Sequence, residues 1–376
     1  MTVFYRTAAR TAACATALVL LLCSLFGAAG CSPKKEASVA GITSDTENRL
    51  TMGWDEVDAQ RSYPRVEGTF LQPELAHSFS EEDWAEHMDM LLEAGIRLVI
   101  LQWTVSLSDG LVQQIYYPSG LEFAKAGNYQ AYDYVLERCL AAAQERGMQV
   151  FIGLDLDESW WENGRRTEAW CLERAEQGNR IAGEIHRLYK ERYPDAFAGW
   201  YWAYELSNGM GEKSELYAQM LSIQADYLTA LDPTLPLMLS PFCCQANTPA
   251  QAEEEWTRFL DAARLREGDI LALQDAVGAG HISLDQMDGY FRAFHNAAAQ
   301  KEGLRFWANN ENFTASTWDC APLSRFVTQM NTAAPYVEKH VTFAYSHYYN
   351  PQRWPETYHQ SYIAYAKTGV IPDNAP

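Results

Sequence analysis

Apolar residues along this chain follow two alternating rhythms. In residues 80–95, SEEDWAEHMDMLLEAG, Trp84, Met88, Leu91 and Leu92 recur at the spacing of one helix face. Ser80 and Asp83 add capping-box chemistry at its start. Gly95 ends the pattern, and a short apolar run, IRLVILQW, follows. The same order returns at Gly147 before MQVFIGLDLD, at Gly268 before DILALQD and at Gly303 before LRFWANNE. Glycine just past the last helical turn accepts the left-handed backbone that reverses the chain.

With the less regular units included, strands are predicted near 66–72, 96–104, 148–155, 198–205, 235–242, 269–275, 304–311 and 341–347. Each is followed by a helix-compatible segment, such as KSELYAQMLSIQADYLTAL or APLSRFVTQMNTAAPYVEKH. Strands alternating with helices favour a parallel sheet. Eight such units in residues 61–376 predict one α/β domain, a (β/α)8 TIM barrel. A doubly wound open sheet would carry a glycine-rich phosphate loop after its first strand. GTFLQPELAHSF offers none.

The first sixty residues stand apart. Arg6 and Arg10 precede an uncharged apolar stretch, 11–27, that closes on Ala28, Ala29, Gly30 and Cys31. Secretory signals end on small residues, and cysteine directly after them resembles the lipobox of bacterial lipoproteins. That resemblance implies a signal peptide at 1–30, cleavage before Cys31, and lipidation there. An uncleaved membrane-spanning anchor is the alternative. Residues 31–60 lack apolar periodicity and read as a flexible tether. The barrel is then expected in the cell envelope, held to a membrane by lipid and outside the cytoplasm.

Lys and Arg number 29 against 49 Asp and Glu, a net charge of −20. Nucleic acids and anionic polymers are poor partners for such a chain, because phosphate binding needs clustered cations. The cysteines beyond Cys31 (Cys139, Cys171, Cys243, Cys244 and Cys320) are irregularly spaced, which argues against a disulfide framework or a metal cluster. DLDES starts like a calcium loop, but Trp160 stands where the turn glycine belongs. GxSxG, P-loop and HExxH motifs are absent, and no cofactor or metal is expected.

Barrel enzymes place their chemistry at the C-terminal strand ends. Those ends offer Gln72, then Gln102, Trp103 and Thr104, then Asp155 and Asp157, Tyr204 and Glu205, Ser240, Gln274 and Asp275. The last two give Asn309, Asn310 and Glu311, then Ser346, His347, Tyr348 and Tyr349. Amides and carboxylates bond hydroxyls, and aromatic faces pack on sugar rings, so the lining suits a polyhydroxylated, largely neutral ligand. Trp103, Trp160, Trp161, Tyr348 and Tyr349 are candidate stacking residues. Glu205 and Glu311 stand out as a pair, since glycoside hydrolysis usually needs two carboxyl groups. Alternation along a strand puts Tyr201 and Ala203 on the side of Glu205, and Trp307 and Asn309 on that of Glu311.

Carboxylates after strands four and seven resemble the catalytic arrangement of the large clan of retaining, barrel-type glycosidases. That resemblance implies Glu205 as acid/base and Glu311 as nucleophile. The segments GTFLQ, VILQWT, FIGLDLDESWW, GWYWAYEL, LSPF, LQDAVGAG and FWANNENF, in this order, resemble an uncharacterised bacterial family of glycosidase-like barrels over residues 65–350. The clan carries Asn directly before the strand-four glutamate, whereas this chain carries Tyr204. Asp275, beside Gly278 and Gly280, is the substitute acid the sequence offers, and Asp155 and Asp157 are others.

The expectation is thus a membrane-anchored glycoside hydrolase acting on a neutral poly- or oligosaccharide by a two-carboxylate retaining mechanism. Its catalytic candidates are Glu205, Glu311 and Asp275. Substrate would be bound by Gln72, Gln102, Trp103, Asp155, Asp157, Tyr204, Gln274, Asn309, Asn310, His347 and Tyr348. The rival is a non-catalytic glycan-binding lipoprotein on the same scaffold.

Overall fold

The computed structural model describes residues 44–376, apart from Ala126 and Asn163. The signal peptide and the Cys31 lipidation site lie outside the described residues. Eight parallel strands close into a barrel: β1 (Val66–Leu71), β2 (Leu98–Leu101), β3 (Gln149–Gly153), β4 (Phe197–Trp202), β5 (Leu237–Leu239), β6 (Ile270–Gln274), β7 (Arg305–Glu311) and β8 (Lys339–Phe343). Closure comes from β1 on β8, where Gly68 pairs Val341 and Thr69 pairs Thr342. Eight helices follow the strands in turn: α1 (Glu81–Glu93), α2 (Val135–Glu145), α3 (Glu168–Tyr189), α4 (Ser214–Leu231), α5 (Pro249–Ala262), α6 (Met287–Ala298), α7 (Leu323–Ala333) and α8 (Glu356–Thr368). The (β/α)8 expectation holds.

Local chemistry sets these elements. Ser80 and Asp83 form the capping box of α1, and Thr248 and Gln251 form another on α5 with Pro249 at its first turn. Trp84, His87, Met88 and Leu91 turn the inner face of α1 to the barrel. All four residues of β2 are buried, as strands covered on both faces require. Inside the barrel Phe70 meets Tyr201 edge-on, ring centres 5.2 Å apart. Trp200 and Trp202 face outward instead, against Phe197 and Trp160, as alternation predicts.

Three features depart from the sequence reading. The eighth strand lies two residues earlier at its start, and Ser346, His347 and Tyr348 belong to a short helix, Tyr345–Tyr348. Residues from Ser44 onward, read as the end of a tether, form two helices, Ser44–Thr51 and Trp54–Gln60. They are held by tertiary contacts that a polar composition does not advertise. Trp54 Nε1 bonds the Leu92 carbonyl, Lys367 Nζ bonds those of Leu50 and Met52, and buried Arg65 pairs with Asp58. Finally, the chain after β2 makes strands 105–108, 111–115 and 130–131, joined by 155–157 into a four-stranded sheet over one side of the barrel mouth. All five cysteines beyond Cys31 are free thiols.

Candidate active site

At the C-terminal mouth the strand ends surround a cavity of about 290 Å³. Of the residues expected there, Gln72, Gln102, Trp103, Glu205, Gln274, Glu311, His347 and Tyr348 line it. The two glutamates therefore share a pocket.

Glu311 ends β7 and is almost fully buried. The 275–280 loop after β6 reaches over it, and the backbone N–H of Ala279 donates to Oε2 at 2.7 Å. Gly278 makes this approach possible. A Cβ there would lie 2.5 Å from the Phe313 carbonyl oxygen and 2.9 Å from Glu311 Oε2. Burial pushes the Glu311 carboxyl well above the usual range. The Asp275 charge adds to this, the Ala279 N–H and Arg325 pull it back, and the Glu205 charge raises it again.

Glu205 lies three residues beyond β4, part-exposed to the cavity, with its carbonyl held by Trp160 Nε1 at 3.0 Å. Burial raises its pKa to about 7, opposed by a hydrogen bond from Gln274. At neutral pH it is a carboxyl group that can give up a proton. His347 is neutral, its pKa lowered by burial to about 3, and its Nε2 accepts the Gln72 backbone N–H.

Asp275, the substitute acid the sequence offered, does not open on the cavity. Gln274 points into the mouth, so its neighbour points out, and Asp275 is sealed behind β7. Its Oδ2 accepts from Asn310 Nδ2 (3.0 Å), Glu311 N (3.0 Å) and Gln329 Nε2 (2.6 Å), and its Oδ1 from Val277 N (3.1 Å). Asn310 belongs to the same network and is bonded also to His340. Asn309 faces the barrel interior, bonded to Ser240 Oγ below the cavity lining.

Asp155, Asp157 and Tyr204 likewise lie outside the cavity lining. Tyr204 donates to Asp155 at 2.8 Å, and burial raises Asp155 to about 6 with Arg174 opposing. Asp157 caps the 158–161 turn through Ser159 and takes the N–H of Gly110. All three are buried and hold the loop after β3 against α3, because residues next to an inward-facing position point the other way. Trp160 and Tyr349 are core, whereas Trp161 lines the cavity.

Sequence reasoning missed Glu74, Glu158, Ser106, Gln114, Phe242, His281, Phe313, Trp318 and Phe343, all in the lining. Trp318 sits at φ 59°, a left-handed backbone unusual for a bulky side chain, and stacks on Phe313 at 5.7 Å with nearly parallel rings. Glu74 was legible as the one carboxylate directly after β1. Ser106 and Gln114 ride on the added sheet and carried no signal. Among the described residues no lysine or arginine lines the cavity. Among the described residues no group of three or more His, Cys, Asp or Glu side chains is placed to hold a metal ion.

With this geometry in place, comparison with known proteins fixes the family. Residues 66–355 match the model of a domain of unknown function, DUF4434, and the chain belongs to that family. No curated protein matches. Among solved structures, the chain resembles a candidate alpha-L-fucosidase from Bacteroides thetaiotaomicron VPI-5482, at 21% identity and TM-score 0.70, covering 89% of this chain and 100% of that one. It also resembles the endo-beta-1,4-mannanase from Thermotoga petrophila, at 14% identity and TM-score 0.55, covering 82% and 78%. A beta-galactosidase from the psychrophilic Marinomonas ef1 matches at 12% identity and TM-score 0.51, covering 81% and 59%. At these identities the likeness establishes a shared barrel fold.

Proposed function

We propose that this protein is a glycoside hydrolase acting on a glycan without acidic groups, by a retaining mechanism with Glu311 as nucleophile and Glu205 as acid/base. One observation carries the reading: carboxyl groups from the ends of strands four and seven open on one cavity, and the Glu205 charge acts on Glu311. Glutamines and aromatic side chains around them match sugar hydroxyls and ring faces, and a lining without lysine or arginine among the described residues disfavours an anionic chain. Solved structures of glycosidase type on the same fold agree with this reading.

In the first step Glu205 gives its proton to the glycosidic oxygen as the bond to the anomeric carbon breaks, and Glu311 forms an ester to that carbon. Water then displaces Glu311, yielding its proton to the Glu205 carboxylate. The Ala279 N–H and Arg325 favour the ionised Glu311 that attack requires. General acid catalysis of this kind contributes about 10²–10⁴ in rate. No cofactor takes part in this scheme.

A glycan-binding role without turnover is the second reading, favoured by the upward push on Glu311, since a protonated carboxyl binds hydroxyls but does not attack. Glu311→Gln separates the two: it abolishes turnover and spares binding in a hydrolase, and changes only affinity in a binder. We place the barrel outside the cytoplasm on a lipid anchor at Cys31, on the strength of the Ala28, Ala29, Gly30, Cys31 sequence. Labelling by radioactive palmitate, lost in Cys31→Ala, tests this.

A further inference from the structure

The connection after β7 folds back as a small hairpin, Phe313–Thr314 against Asp319–Cys320, in which Phe313 pairs Cys320 and Thr314 pairs Asp319. Trp318 is the last residue of its turn, and its backbone N–H donates to the Thr314 carbonyl at 2.7 Å. The turn closes with Trp318 at φ 59°, in the left-handed region. Glycine holds that backbone freely and asparagine tolerates it, whereas a bulky side chain is strained there. Residues kept against their backbone preference cluster at ligand sites, and this one lines the cavity.

The hairpin is built into the surroundings of Glu311. The Ala315 N–H donates to the Gly278 carbonyl at 2.8 Å, which ties the turn to the loop whose Ala279 N–H holds the Glu311 carboxyl. Arg325 donates from Nη1 to Thr314 Oγ1 at 3.1 Å and from Nη2 to the Phe313 carbonyl. Trp318 stacks on Phe313 with planes 2° apart, and Phe313 stacks on Tyr348 at 5.2 Å and 19°. Phe313 is buried, whereas Trp318 is part-exposed. Phe313 is the one ring that Trp318 meets among the described residues, and the indole N–H has no hydrogen-bond partner there. An indole face and a donor are thus left over beside the nucleophile. The fold does not call for them: the turn needs no side chain at 318, and Phe313 rests on Tyr348 without it.

We propose that Trp318 is a sugar-binding platform, on which a pyranose ring beside Glu311 lays one of its C–H faces. This rests on the glycosidase reading and gives a binding role to a residue that reading does not use. A flat indole offers broad apolar contact at little cost in side-chain freedom, and its N–H can donate to a hydroxyl at the ring's rim. Because the hairpin is bonded to the loop that holds Glu311, platform and nucleophile keep a fixed relation.

The test is binding by the full mature protein carrying Glu311→Gln, so that ligand is not consumed. An array of neutral oligosaccharides of glucose, galactose, mannose, xylose, fucose and N-acetylhexosamines, in both anomeric linkages, finds the tightest ligand, which is then titrated by calorimetry. Trp318→Ala and Trp318→Gly should each bind it at least about tenfold more weakly, and Trp318→Tyr, which keeps a flat face, within about threefold of the parent. Glycine accepts the left-handed backbone, so Trp318→Gly folds and should melt above Trp318→Ala. Undiminished binding in the alanine and glycine variants, tyrosine no better than alanine, alanine melting as high as glycine, or no binding across the array overturns the proposal. Turnover of the same ligand with Glu311 intact is assayed separately. Binding that depends on Trp318 without hydrolysis strikes the glycosidase reading and leaves the platform, and hydrolysis with binding indifferent to Trp318 does the reverse.

Discussion

The backbone N–H of Glu311 donates to the carboxylate of Asp275 at 3.0 Å, from the far side of β7. Asp275 therefore fixes where the last residue of the strand sits, and never meets the cavity. Buried orphan donors cost about 1–3 kcal/mol each, and Asp275→Ala would strand those of Asn310, Gln329, Glu311 and Val277. We expect a loss of several kcal/mol in urea unfolding, with activity falling in proportion to the displaced Glu311. A variant of wild-type stability that lost only turnover would return Asp275 to the chemistry.

Glu205 gives a prediction in pH. As the general acid it must be protonated, so kcat/KM should fall as pH rises through about 7. The same shift bears on stability. A carboxyl whose folded pKa is raised from 4.5 to about 7 favours the fold fully below 4.5, and this contribution is lost as pH rises through 7. By pH 8 the loss amounts to at most about 3 kcal/mol. Glu205→Gln should thus raise Tm relative to wild type at pH 8, leave it nearly equal at pH 4.5, and remove the alkaline limb together with most activity. An equal Tm difference at both values would deny the shift.

The barrel was legible because its grammar is local. Glycine after an amphipathic helix and before an apolar strand marks each unit at Gly95, Gly147, Gly268 and Gly303, all at positive φ in the fold. The two glutamates were legible for the same reason, since strand ends place side chains at the mouth. Their neighbours were misread where alternation was not applied strictly: Tyr204 beside Glu205, Asn310 beside Glu311 and Asp275 beside Gln274 all point backward. Glu158 and Trp318 arrive on connections whose course depends on tertiary contacts, and no period in the sequence reports those. The helix Trp54–Gln60 was hidden likewise, because it is stabilised by Val57 burial and by Arg65 over Trp54 rather than by a repeating apolar face.

Gly278→Ala tests how tightly Glu311 must be held. The added methyl would meet the Phe313 carbonyl and Glu311 itself, so the loop or the carboxylate must move. Displacing a reacting group by about 1 Å can cost roughly 10²-fold in rate. We expect a folded protein with kcat reduced on that scale and binding of the intact glycan little changed. Wild-type kcat would show that the loop does not position the nucleophile.

The central claim, that Glu311 attacks the anomeric carbon, is tested most directly by chemical rescue. In Glu311→Ala, azide can enter the space left by the side chain, attack the anomeric carbon from that face, and expel the leaving group. The account predicts that added azide restores turnover of an activated glycoside and that the glycosyl azide formed has the anomeric configuration opposite to the substrate, as read by proton NMR. Substantial turnover by Glu311→Ala without azide, or a rescued product that keeps the substrate's configuration, would contradict it.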